Sequence, residues 1–186
     1  MSNNIQQQTT INIQEKANLI WAIADKLVGV YKPHEYGNVI LPMCVIKRFE
    51  DTLAPTKQAV LDTNAKLDKD GIVVKKGFLE TAAGQQLYNL SPFTFQSLLN
   101  DPENIKENFE SYLNHFSENV IDIIHRMDFD RELQKMADNN VLYLVIKEFC
   151  TSKAYLGADL VTSVDMGYIF EELVRKFSES YDEQAG

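Results

Sequence analysis

Positive charge is what this chain is short of. It carries 18 lysine and arginine residues against 27 aspartate and glutamate, a net charge of -9 over 186 residues. A free-standing, non-specific nucleic-acid binder presents a basic face, and this composition excludes one covering the whole surface. Contact with phosphate would need a local basic patch, or an assembly whose other parts supply the charge. Glycine is also sparse. The eight glycines include no two separated by a single residue, which excludes a G-x-G dinucleotide or methyl-donor cradle and a P-loop. The two cysteines, Cys44 and Cys150, make no C-x-x-C and both fall in apolar helical patterns, so buried thiols are expected rather than a disulfide framework. His34, His115 and His125 have no partners at ligand spacing, which argues against zinc. There is no G-x-S-x-G elbow. No stretch approaches the ~20 apolar residues of a membrane span. The polar opening MSNNIQQQTTINIQEK has no signal-peptide core, and a cytoplasmic protein with no membrane contact is expected.

What the chain does have is helical periodicity. Residues 1–14 are rich in Asn, Gln and Thr and are expected to form a flexible N-terminal arm. Ile20, Ile23, Ala24, Leu27 and Val28 then recur at three-and-four spacing, with Gly29 as a stop. Met43, Ile46, Phe49 and Leu53 share one face of a second helix. Pro42 predicts that this helix starts near Ile40 or Leu41, and Pro55 ends it. A weaker pattern covers Thr56 to Lys69, and the one β-like run is a short connection near 71–77. The pattern resumes through Leu79, Ala82, Ala83, Leu87 and Leu90, then in a brief helix from Phe95 and a longer one after Asp101-Pro102. Further stripes run through Val120 to Met127, Asp130 to Ala137 and Leu142 to Cys150. Thr162-Ser-Val-Asp165 reads as a capping box before the strongest stripe, Met166, Ile169, Phe170, Leu173, Val174 and Phe177. Strands do not alternate with helices. The expected fold is therefore all-α, a bundle of roughly eight or nine helices over residues 15–178, with 179–186 as a linker.

Few residues stand out for chemistry. Carboxylates are plentiful, but spacing singles out no acid–base pair. The loop after the first helix carries Tyr31, His34 and Tyr36 as candidate contacts, with a loop hydrogen bond as the plainer role for His34. Lys47-Arg48 either touches phosphate or lies on a solvated face where Lys47 pairs with Asp51. Lys75-Lys76, bracketed by Gly71 and Gly77, is better placed to reach a nucleic-acid backbone, and is also what an ordinary exposed edge carries. These seven residues are the candidate DNA or subunit contacts. No catalytic, cofactor-binding or metal residue is expected in this chain.

Three long segments carry a family resemblance: IWAIADKLVGVYKPHEYGNVILPMCVIKRFEDTL, AAGQQLYNLSPFTFQSLLNDPENIKENFESYLNHFSENVIDII and MGYIFEELVRKFSESYDEQAG. In this order they resemble the N-terminal helical domain of the modification (M) subunit of type I restriction–modification systems, an adenine-N6 DNA methyltransferase. The resemblance implies that DNA methylation with S-adenosylmethionine belongs to a following α/β domain. That domain carries a glycine motif and an Asn/Asp-Pro-Pro-aromatic motif that holds the flipped base. Neither motif stands in this sequence, where the five prolines include no adjacent pair. The chain is thus expected to be inactive alone. The implied partners are a specificity subunit, a second M subunit, the restriction and translocase subunit, and DNA within the assembly. The alternative is a free-standing, non-catalytic module that regulates assembly of M and specificity subunits, docking through the stripe from Met166 to Phe177. A lone sequence-specific DNA binder is disfavoured by the net charge.

Overall fold

The computed structural model describes the backbone of residues 2–185 and the side chains of residues 13–178. Among the described residues ten α-helical segments follow one another: α1 (Ser2–Leu27), α2 (Tyr36–Leu53), α3 (Lys57–Lys69), α4 (Lys76–Ala83), α5 (Phe95–Leu98), α6 (Ile105–Asn114), α7 (Glu118–Arg126), α8 (Phe129–Asp138), α9 (Leu142–Glu148) and α10 (Ser163–Ala185). Nine have seven residues or more and α5 is a single turn, so the all-α expectation holds. Among the described residues there is no strand. The β-like run near 71–77 is irregular from Ile72 to Lys75, and Lys76 and Gly77 already belong to α4. No helix among the described residues is long and apolar enough to cross a membrane.

Four boundaries differ from expectation. The backbone of α1 is helical from Ser2, through the segment expected to be an arm, while the side chains before Ile13 lie outside the described residues. Likewise α10 runs on to Ala185, through the expected linker. Helix α2 starts at Tyr36, so Pro42 sits inside it. The missing N–H of Pro42 leaves the carbonyl of Asn38 without its helical donor, but Asn38 is exposed and water can meet that carbonyl. Finally, α4 stops at Ala83 because Gly84 takes a left-handed conformation (φ +71) and its N–H returns to the last turn. Leu87 and Leu90 are therefore in a loop rather than on a helix.

The main core gathers the inward faces of α1, α2, α5 to α10. Its centre is aromatic. The ring of Phe95 meets Phe109, Tyr112 and Phe149 edge-on at centroid distances of 5.9, 5.9 and 6.3 Å. Helices α3 and α4 pack on each other over a separate small core of Val60, Leu67, Leu79 and Ala83, with Ile72, Ala82, Tyr88 and Leu90 at its edge. A short antiparallel tie fixes this lobe to the body: Leu90 N–H donates to the His115 carbonyl and Ser117 N–H to the Tyr88 carbonyl, both at 2.9 Å.

Helix α10 starts on the expected capping box. Asp165 N–H donates to Thr162 Oγ1 at 3.1 Å, and Thr162 N–H donates back to Asp165 Oδ2 at 3.0 Å. Met166, Ile169, Leu173 and Phe177 turn inward, whereas Val174 is exposed. Glu172 pairs with both Arg175 (2.6 Å) and Lys176 (3.8 Å).

Candidate functional site

The seven candidate residues do not converge on one site. They fall in three places, and each has a different physical job.

The first is the turn between α1 and α2. Tyr31 is buried and its hydroxyl donates to the Glu132 carbonyl at 3.3 Å. Burial, and then the neighbouring Glu132 carboxylate, push its pKa well up. Lys135 Nζ lies 4.2 Å from the centre of the Tyr31 ring and 4.0 Å from Glu35, so this turn is clamped to α8. The Glu35 carboxylate accepts Lys32 N–H at 2.8 Å, which holds its pKa down. Tyr36 is also buried and meets Phe177 edge-on at 5.7 Å, tying the start of α2 to α10. His34 stays exposed on the 3-10 turn Pro33–Glu35. It lies at the mouth of an open groove of about 610 Å³, walled by Gly37, Leu41, Leu173, Val174 and Phe177. Of this trio, two are packing residues and only His34 faces solvent.

The second place is the buried face of α2. Lys47 is 6 % exposed. Its ammonium donates to Asp51 and, at 3.2 Å, to the Ala154 carbonyl. The expected pairing with Asp51 is present, but on the inward face of the helix. Arg48 reaches the same segment, with Nη1 donating to the carbonyls of Leu156 (3.1 Å) and Val161 (2.7 Å). Asp51 completes the arrangement by accepting Leu156 N–H at 2.9 Å. From α1, Lys16 donates to the Lys153 carbonyl at 2.6 Å. Burial lowers the pKa of both Lys16 and Arg48. Three cations thus staple the irregular strap between α9 and α10 onto α1 and α2. The basic pair is engaged with the chain's own backbone.

Beside it lies a carboxylate that periodicity did not single out. Glu50 accepts Phe95 N–H with both oxygens, at 3.0 and 3.1 Å, and so caps the start of α5. Burial raises its pKa, against the opposing pull of the Phe95 N–H and of Tyr112. Lys57, its pKa lowered by burial, donates to the Phe93 carbonyl and lies 5.3 Å over the Tyr112 ring. A cavity of about 250 Å³ opens here, lined by Lys47, Glu50, Asp51, Cys150 and Tyr155 among others. Burial raises the Cys150 thiol to about 11 and the Cys44 thiol to about 12. At neutral pH both are protonated and poor nucleophiles. The polar groups in this cavity hold the fold together, and none is left both exposed and activated.

The third place is the tip of the α3–α4 hairpin. Lys75 donates to Asn64 Oδ1 at 3.0 Å and to Asp68, closing the hairpin. Lys76 opens α4 and points outward, its side chain 79 % exposed and 3.9 Å from Glu80.

Among the described residues no group of three or more His, Cys, Asp or Glu side chains is placed to hold a metal ion. The S-adenosylmethionine attached by resemblance to the whole subunit does not fit the residues present. Its cradle is a glycine-rich turn following a strand, and the described residues offer neither.

Comparison with known proteins adds one finding. A family model described as the HsdM N-terminal domain matches residues 16–149, well over half of the chain. The match covers α2 to α9 and the second part of α1 from Lys16, and it ends before the strap and α10. No curated protein and no solved structure matches.

Proposed function

Since the chain belongs to the HsdM N-terminal domain family, the N-terminal domain of the M subunit of type I restriction–modification systems, we propose that it works as a helical assembly and DNA-clamping domain. In this reading the domain helps an adenine-N6 DNA methyltransferase close around its substrate and docks against the specificity subunit and a second M subunit. The methyl donor and the flipped adenine belong to a catalytic domain outside these residues, and the restriction and translocase subunit joins the same complex. The observation that carries the reading is the family match over a body whose titratable groups are engaged structurally, as Lys47, Arg48 and Glu50 are.

The test is co-purification of the chain with the specificity subunit of its own system, with and without target duplex. A stable complex that retains duplex is the expected result. A chain that binds neither would overturn the proposal. The regulatory-module alternative relied on the stripe from Met166 to Phe177 as a docking face. Four of its six residues are core, which narrows that face to the wall of the open groove, while the acidic balance, its other motive, stands.

A further inference from the structure

The α3–α4 hairpin is the part of the molecule that its own core does not explain. Its small apolar cluster stands apart from the main one. At its tip Val73 and Val74 are 88 % and 81 % exposed, more than any other large hydrophobic residue among the described residues. Adjacent branched apolar side chains in water contribute nothing to stability and raise the risk of association. Four lysines and two aspartates lie between Asn64 and Phe78, in a chain whose net charge is -9. Lys75 closes on Asp68, and Lys66, Lys69 and Lys76 stay exposed on the same hairpin, Lys76 with Glu80 at 3.9 Å and Asp70 exposed beside them. The backbone N–H groups of Val73 and Val74 have no backbone acceptor among the described residues.

We propose that this tip is the domain's contact with duplex DNA. Lys66, Lys69 and Lys76 meet phosphates, and Val73 and Val74 press on the groove edge between them. This rests on the DNA-clamping part of the proposed function. The partner follows from charge and shape. The tip is a local positive feature on a negative protein, so its partner is a polyanion. The two valines form a knob rather than a pocket, so the tip enters a groove instead of receiving a side chain. Apolar side chains set among cations are a recurrent way of meeting a nucleic-acid groove. An acidic protein segment has no groove for the knob to enter.

Fluorescence anisotropy of a labelled duplex tests this, using the whole chain between about 50 and 200 mM salt, the range over which counterion release is legible. Replacing Lys66, Lys69 and Lys76 together by Gln should weaken binding about tenfold at low salt and make the log–log salt slope shallower by about 2 to 3, since each phosphate contact contributes about 0.9. Val73→Ser with Val74→Ser should weaken binding several-fold and leave the slope unchanged. Arg126→Gln, at an exposed position on α7, should change neither. All these side chains are exposed, so melting curves should superimpose. If the chain binds duplex and the lysine variant binds equally well, the tip is refuted while the clamping reading stands. If the unmodified chain binds no duplex at low salt, the DNA part of that reading falls and the tip falls with it. If polyglutamate competes as well as duplex does, the contact is with polyanions in general and the assignment to DNA is overturned.

Discussion

Arg48→Met would test the strap most sharply. The methionine keeps the apolar stem and removes the two hydrogen bonds to the Leu156 and Val161 carbonyls. Both residues are buried, so their carbonyls would lose a charged donor with little water to replace it. A hydrogen bond from a charged donor is worth ~1.5–3 kcal/mol. Arg48 is only half-buried, which argues for the lower half of that range and a combined loss of ~3–4 kcal/mol. Against a typical total of ~5–15 kcal/mol, that is a large fraction of the domain's stability. With a urea slope of ~2 kcal/mol per molar, the midpoint should fall by ~1.5–2 M. Arg48→Lys keeps the charge and, like Nη1, offers one nitrogen able to donate to both carbonyls, but its stem is one bond shorter, so it should lose about half as much. Hydrogen exchange locates the effect. The Leu156 amide, bonded to Asp51, and the Val161 amide, bonded to the Gly157 carbonyl at 2.9 Å, should exchange faster, while α6 should not change. A stability loss under ~0.5 kcal/mol, well below one such bond, with strap protection unaltered, would refute the reasoning.

Three further outcomes are expected. Gly84→Ala should cost ~1–2 kcal/mol, because the left-handed conformation that ends α4 is unfavourable for a side chain; an unchanged melting temperature would mean α4 ends by other means. Asp165→Ala should cost ~1 kcal/mol through loss of the capping box of α10, seen as a lower urea midpoint. The Cys44 thiol, held up to about 12 by burial, predicts an alkaline loss of stability. The unfolded chain releases this proton first, so the stabilisation is intact below ~8.5 and falls by ~1.4 kcal/mol per pH unit as pH rises toward the folded value. Cys44→Ala should flatten that slope by one proton's worth, and an unchanged slope would contradict the burial.

Features that depend on near neighbours were legible in the sequence. The capping box at Thr162 and Asp165 is one, because its two hydrogen bonds join residues three apart. The inward stripe of α10 is another. Two local readings failed for reasons that are also local. Pro42 was expected near a helix start, but an exposed Asn38 lets it sit deeper in α2. Leu87 and Leu90 kept helical spacing beyond Gly84, yet each packs from a loop, Leu87 on the main core and Leu90 on the small one. The basic pair was the harder case. Lys47 and Arg48 read as surface because lysine and arginine usually are. Their acceptors are backbone carbonyls more than 100 residues away, and a carbonyl leaves no trace in residue identity. The same holds for Glu50, whose donor is the backbone of Phe95.

The staple also bears on where the molecule's charge is displayed. Lys16, Lys47 and Arg48 hold carbonyls inside the fold, so their charges contribute little to the field outside. Glu132 and Asp165 are buried as well and Asp51 is taken up by Lys47, so the surface that a partner meets keeps the acidic balance of -9. On such a surface an approaching DNA duplex is repelled over most of the domain, and attraction is confined to wherever exposed cations cluster. Lys66, Lys69 and Lys76 form such a cluster at the end of a hairpin with its own small core. A domain built this way would touch DNA at a point rather than along a face. Its salt dependence should then reflect about three phosphates, far fewer than the six to ten of a protein that binds DNA alone. A measured slope steeper than about 5 would require a basic surface that this chain does not display.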